Sequence, residues 1–152
     1  SDGRRPDWVK PGTLEDDQRR RDFTMNSIAV DEDGVVYDPF DGRTHIKFKL
    51  IAPVGVAAER FWEDSIRMLR AVRFHITKGF VIAPEIEKCF EDPTLLDRLK
   101  NCSLERTRDE ILKMFEVNTL KTMHLFVEVY PALGATIFDT KRLWLKPTMR
   151  EA

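Results

Sequence analysis

The sequence predicts an α+β fold, with strands confined to the first third of the chain and helices filling the rest. Three observations carry this. Residues 27–31 and 35–38 are apolar or β-branched runs on either side of Asp31-Glu32-Asp33-Gly34, the composition of a β-hairpin and its turn. From residue 56 the apolar period changes, and Phe61, Ser65, Met68, Leu69, Val72 and Ile76 fall on one helical stripe. Beyond that stripe, Pro, Ser and Asn recur at positions where helices start.

In chain order, residues 1–22 are polar and broken by Pro6, Pro11 and Gly12, which predicts loop with one short strand at Trp8-Val9 and a charged segment over residues 14–21. The hairpin follows. Residues 38–42 (Asp-Pro-Phe-Asp-Gly) form a second turn, and residues 48–52 a last short strand. One amphipathic helix is expected from residue 56 to Gly79, whose missing Cβ suits a helix end. Pro84 opens a helix over residues 85–90, and Asp92-Pro93 one that runs to Lys100. Ser103 caps residues 104–117, and Asn118 or Thr119 caps residues 120–129. Pro131 closes that helix; residues 132–152 show no clear period, and Pro147 breaks them again.

The chain has 152 residues, 42% hydrophobic and 34% charged, enough for one domain or two small ones. Its net charge of −1 argues against a uniformly basic nucleic-acid binder. The arginines are nevertheless grouped, at Arg4-Arg5, Arg19-Arg20-Arg21 and from Arg60 to Arg73. A neutral protein with a local cationic cleft suits an anionic ligand such as a nucleoside triphosphate. Cys89 and Cys102 lack metal-ligand spacing and read as reduced thiols of a cytoplasmic protein. No apolar run approaches the roughly 20 residues of a membrane span. Ser1 opens the chain without an initiator Met or a targeting pattern, as the interior of a longer protein would.

Two constellations carry candidate chemistry. In residues 63–73, Asp64 stands three residues before Arg67, and Arg70 and Arg73 continue at the same step. Residues three apart on a helix are surface neighbours. An acceptor-only carboxylate beside a five-donor guanidinium can read a base edge. The amino group of cytosine or adenine donates to Asp64, and the adjacent ring nitrogen accepts from Arg67. Uracil and guanine present the opposite order. The competing reading is an i,i+3 salt bridge on a solvated face. Arg73 projects to nearly the opposite side of a regular helix from Asp64.

The second constellation is Arg20-Arg21-Asp22 with Asn26, in which Arg21 could hold phosphate, Asp22 a sugar hydroxyl, and Asn26 orient the pair. Its competitor is a charged turn in which Asp22 and Asn26 satisfy backbone groups. Asp31 and Asp33 have the spacing of a two-metal pair but sit at a hairpin tip, where Asp serves the turn. His45, His75 and His124 are scattered and read as surface or packing residues.

Taken in order, these motifs resemble a known family. They are Gly3-Arg4-Arg5-Pro6, then residues 14–29 (LEDDQRRRDFTMNSIA), residues 38–43 (DPFDGR), residues 60–74 (RFWEDSIRMLRAVRF) and residues 103–113 (SLERTRDEILK). The series resembles the class II tRNA nucleotidyltransferases (CCA-adding enzymes) and their bacterial poly(A) polymerase relatives, collinearly over residues 3–116. The resemblance implies that residues 1–50 are the second half of a nucleotidyltransferase head, 51–116 a helical neck, and 117–152 the start of a helical body. It implies nucleotide-binding roles for Arg21, Asp22, Asn26, Asp64, Arg67, Arg70 and Arg73. Glu63 would brace the template pair, Asp38 and Gly42 belong to the turn coupling head to neck, and Glu105, Arg106 and Glu110 steady the template helix.

The implied activity is CCA addition to tRNA 3′ ends from CTP and ATP, with poly(A) or A-only addition as the alternative. The implied cofactor is Mg²⁺, bound by an Asp-x-Asp segment expected before Ser1, so that no catalytic or metal-binding residue is expected in this chain. A non-catalytic remnant binding nucleotide or RNA, or a helical module neutralising phosphates, is the reading from another class. Three positions depart from the family pattern: Asp41 where Gly is usual, His45 where Asp is usual, and Ser65 where Pro is common, the last expected to be harmless inside a helix.

Overall fold

The structure, a computed structural model, describes residues 13–145. The expected strand at Trp8-Val9, the motif at Gly3 and the break at Pro147 lie outside the described residues.

The charged segment folds as helix α1 (Leu14–Arg19), because Thr13 and Asp16 form a reciprocal capping box in which each side chain accepts from the other's backbone N–H. A single 3-10 turn (Thr24–Asn26) leads into β1 (Ala29–Val30), which pairs antiparallel with β2 (Val36–Tyr37) as the hairpin signal predicts. Gln18 is buried and anchors α1 to this hairpin, donating to the carbonyls of Ser27 and Tyr37 at 2.8 Å each.

The turn at residues 38–42 starts a helix that periodicity did not indicate, α2 (Gly42–Lys47). Asp38 caps it, its carboxylate accepting from the backbone of Gly42 at 2.7 Å and Arg43 at 3.0 Å. Burial alone would raise the Asp38 pKa, but the N–H groups of Arg43 and Gly42 and the Arg43 guanidinium outweigh it and hold the carboxyl below its ordinary value. Asp41 has φ 60°, so the residue standing where the family pattern has Gly occupies the left-handed region that Asp tolerates better than most. Gly42 has a different reason to be Gly: an added Cβ would lie 2.3 Å from the Thr24 carbonyl oxygen. His45 Nδ1 meets Thr24 Oγ1 at 2.7 Å, closing α2 onto the same turn.

Strand β3 (Leu50–Ile51) then pairs in parallel with β4 (Val81–Ile82), a strand of only two residues that carries no pattern to read. Between them the expected single helix is two. Helix α3 (Ala57–Glu63) stops at Asp64, which is extended at φ −152°, ψ 101°, and α4 (Ile66–Lys78) restarts after Ser65. Ser65 therefore opens α4 rather than lying inside a helix.

The remaining helices follow the punctuation: α5 (Pro84–Cys89), α6 (Pro93–Lys100) capped by Asp92, α7 (Leu104–Val117) capped by Ser103, and α8 (Thr119–His124) capped by Asn118. Helix α8 widens into a π turn (Leu125–Val129). Pro131 does not end the helical region. It occupies the first position of α9 (Pro131–Gly134), where its missing N–H is not needed, and the helical path runs on through Ala135–Thr140.

One apolar core joins front and back: Phe23 and Ile51 pack in the same cluster as Phe61, Met68, Leu69, Ile111 and Met114. Phe23 meets Phe74 edge to face with ring centroids 5.9 Å apart, which seats the Arg20–Asn26 loop directly on α4. Among the described residues, no helix is long and apolar enough to cross a membrane.

Candidate nucleotide-binding site

The two constellations meet. A cleft of about 280 Å³ is lined by Arg20, Arg21, Asp22 and Asn26 on one wall and by Asp64, Arg67, Arg70 and Arg106 on the other. The break at Asp64 changes how the template pair is built. The Arg67 N–H still donates to the Asp64 carbonyl at 3.1 Å, but among the described residues no ion pair joins the two side chains. Each is held by someone else.

Asp64 Oδ2 accepts from Arg106 on α7 at 2.8 Å, and its Oδ1 lies 3.4 Å from the backbone N–H of Ile66, the short cap that starts α4. The hydrogen bond to Asp64, offset in part by burial, pushes the Arg106 guanidinium above its ordinary value, so it stays charged. Arg67 donates to Glu63 at 3.0 Å, to the Arg60 carbonyl at 3.0 Å and to the Arg20 carbonyl at 2.8 Å. A pair so braced from outside leaves the simple i,i+3 surface bridge without support.

Asp22 is buried. Its Oδ1 accepts from its neighbour Phe23 at 2.7 Å and from Asn26 at 3.2 Å, and its Oδ2 accepts from Arg70 Nε at 2.6 Å. The loop and α4 are thus joined by a half-buried ion pair as well as by Phe23. Arg21 sits at the cleft mouth, paired with Asp17 at 2.9 Å through an exposed side chain. Such a pair is worth little and gives way easily to a phosphate.

Arg73 does not line the cleft. It pairs with the buried carboxylate of Glu110 and stacks on Phe74 at 4.4 Å, while Glu110 also lies 3.9 Å from Arg70. Arg73 thus acts behind Arg70, in line with the divergent direction that helix geometry gives it. Glu63 is partly exposed and bridges Arg60 and Arg67. Asp38 and Gly42 are at the start of α2, away from the cleft lining. Glu105 is exposed in the first turn of α7, and its side chain makes no hydrogen bond or ion pair among the described residues.

Sequence reasoning gave Arg60 no role of its own and named Arg20 only as a cation of the loop, not for its backbone carbonyl. Arg60 is nearly buried and donates to the Arg19 carbonyl at 2.6 Å and to Glu63 at 2.8 Å. Together Arg60 and Arg67 clamp the carbonyls of Arg19 and Arg20, where α1 ends. The only signal in the sequence was the spacing of Arg60, Glu63 and Arg67, which puts Glu63 within reach of both. The hairpin-tip aspartate is accounted for by the turn: Asp31 accepts from Asp33 and Val35 at 2.9 Å each and from the Tyr37 hydroxyl at 2.9 Å.

The model of the poly(A) polymerase head domain matches residues 1–52. The CCA-adding enzyme of Geobacillus stearothermophilus is 46% identical over 114 residues, which is 74% of this chain and 28% of that enzyme. The chain belongs to the CCA-adding enzyme and poly(A) polymerase family. A second CCA-adding enzyme, from Listeria monocytogenes, is 45% identical over 130 residues, 84% of the chain and 33% of the enzyme. The chain thus spans about a third of the length of these relatives.

Solved structures in the CCA-adding family agree. The Bacillus stearothermophilus enzyme in complex with CTP superposes with a TM-score of 0.75 at 38% identity, covering 89% of this chain and 34% of that one. A tRNA nucleotidyltransferase complexed with a primer tRNA and an incoming ATP analogue gives 0.70 at 29% identity, covering 89% and 40%. The family assignment and the α+β architecture are therefore as the motifs predicted.

Proposed function

We propose that this chain forms the nucleotide-selecting part of a template-independent RNA nucleotidyltransferase that adds CMP and AMP to tRNA 3′ ends from CTP and ATP. The observation that carries the reading is the cleft itself. Asp64 and Arg67 line it together, each fixed by its own partners, beside a wall bearing Arg20, Arg21 and Asp22. An acceptor and a donor held apart from each other are free to pair with a third party, the base edge. In the reaction the tRNA 3′-hydroxyl oxygen bonds to the α-phosphorus of the nucleotide, and pyrophosphate leaves. Arg21 at the mouth meets the phosphates, Asp22 and Asn26 face the sugar, and Arg70 holds the Asp22 carboxylate in place.

By this reading residues 1–50 belong to the head, 51–116 to the neck and 117–152 to the start of the body; the match of the head-domain model to residues 1–52 supports the first boundary. A divalent metal, Mg²⁺ in this reading, would supply activation of the attacking hydroxyl and neutralisation of the leaving pyrophosphate when bound. Among the described residues no group of three or more His, Cys, Asp or Glu could hold an ion. A cytoplasmic location is part of the same reading, supported by the two free thiols, Cys89 and Cys102.

Calorimetric titration of the full chain with the four nucleoside triphosphates tests the reading. CTP and ATP should bind about tenfold or more tighter than UTP and GTP, since a mismatched base leaves buried polar groups unpaired. Asp64→Ala should erase the gap between CTP and UTP, and Arg67→Ala should weaken CTP and ATP together. Equal affinity for all four in the unmodified chain refutes the template assignment. Addition of C alone and A alone to tRNA lacking its CCA end then separates CCA addition from A-only or poly(A) synthesis.

A further inference from the structure

On the other side of the Asp64–Arg106 bridge lies a second, larger hollow of about 410 Å³, sharing those two residues with the nucleotide cleft and adding Arg98, Asn101 and Ser103. Its charges do not balance internally. Glu63 is bridged by Arg60 and Arg67, and Asp64 by Arg106, whereas Arg98 has no ion-pair partner among the described residues. The Arg98 Nε–H is buried without a hydrogen-bond acceptor. The same guanidinium lies 4.0 Å from the ring centroid of Trp62, an indole left 50% exposed. Nothing in the nucleotide cleft uses either residue.

An uncompensated, half-buried cation stacked on an exposed indole beside a sizeable hollow is the set of groups that binds single-stranded nucleic acid. The base takes the flat Trp–Arg surface, and a phosphate supplies the missing anion. The volume falls in the range of small-ligand sites and admits a whole nucleotide. We propose that this hollow seats one nucleotide of the single-stranded RNA end that is to be extended, its base against the Trp62–Arg98 stack and its phosphate against Arg98. Asn101 and Ser103 offer hydrogen-bonding groups to the sugar. The inference rests on the RNA nucleotidyltransferase reading above. It adds to it a place for the acceptor strand separated from the incoming nucleotide only by the Asp64–Arg106 bridge.

The test uses the full chain, a fluorescein-labelled single-stranded RNA pentamer ending in two cytidines, and CTP titrated separately. Fluorescence anisotropy should show pentamer affinity falling about tenfold in Trp62→Ala, with most of it kept in Trp62→Phe, because a phenyl face still stacks. Arg98→Gln should weaken the pentamer similarly and reduce the slope of log affinity against log salt by about 0.7, the loss of one phosphate contact. CTP affinity should stay within about twofold throughout, consistent with a seat outside the nucleotide cleft. No pentamer binding by the unmodified chain, unchanged pentamer affinity in the variants, or a parallel loss of CTP binding overturns the inference. Inorganic phosphate competing as well as the pentamer does also overturns it, since that marks a simple anion site. If CTP and UTP bind equally while the pentamer results hold, the base-template reading fails and the RNA seat stands.

Discussion

Arg60→Ala probes the clamp that joins the two walls of the nucleotide cleft. The substitution removes a 2.6 Å charge-assisted hydrogen bond to the Arg19 carbonyl and a 2.8 Å bridge to Glu63, both made by a side chain only 11% exposed. The first contributes about 1.5 kcal/mol, the low end for a charged donor, because the acceptor is at an exposed helix end. The second contributes about 0.5 kcal/mol, since Glu63 is substantially exposed. A net loss of about 2 kcal/mol should lower the urea midpoint by about 1 M at the usual dependence for a chain of this size.

The same clamp should be felt in binding. Arg67 donates to the Arg60 carbonyl and shares Glu63 with the Arg60 side chain. Residues in one network couple by about 0.5 kcal/mol or more. A double-mutant cycle of Arg60→Ala and Arg67→Ala, read as CTP affinity, should therefore depart from additivity by at least that amount. An unchanged urea midpoint, or strict additivity for CTP, would refute the clamp.

Three further outcomes follow from the structure. Gly42→Ala places a methyl 2.3 Å from the Thr24 carbonyl and 2.7 Å from Ile28, and should destabilise by about 3 kcal/mol in chemical denaturation, because a backbone oxygen cannot swing aside. Asp38→Asn should cost about 1 kcal/mol at neutral pH. The Asp38 pKa is depressed in the folded chain, so its contribution is fully present above the ordinary carboxylate value near 4 and fades as pH falls through the folded value; the urea midpoints of variant and parent should converge in that acid range. Ser65→Pro should be neutral or stabilising by up to about 1 kcal/mol in a thermal melt. Ser65 has φ −68° after an extended residue and loses only its contact to Cys102 Sγ at 3.0 Å.

Much of the helical half could be read residue by residue, because its boundaries are set by local chemistry. Asp92, Ser103 and Asn118 each cap the helix they precede, as their short oxygen-bearing side chains dictate. The hairpin was equally local. The errors share a cause. Helix α2 exists because Asp38 reaches forward four residues to cap it and Gly42 fits against Thr24, and β4 exists because β3 lies beside it. Neither partner is visible in a window of sequence. Pro131 looks like a stop in the sequence because a proline that ends one helix and one that begins the next look alike until the chain direction is known.

The sequence by itself determined which groups are available near the nucleotide: a carboxylate, its following arginines and the Arg20–Asn26 loop, in a collinear order that already identified the family. Only the tertiary structure decided who holds whom. Asp64 leaves the helix and turns to Arg106 on α7, Arg67 is taken by Glu63 and two backbone carbonyls, and Arg73 is diverted to Glu110. The physical reason is that a spacing of three brings two side chains together only along an unbroken helix, and one extended residue turns Asp64 toward Arg106, 42 positions on, while Arg67 reaches the Arg20 carbonyl 47 positions back as well as nearby Glu63.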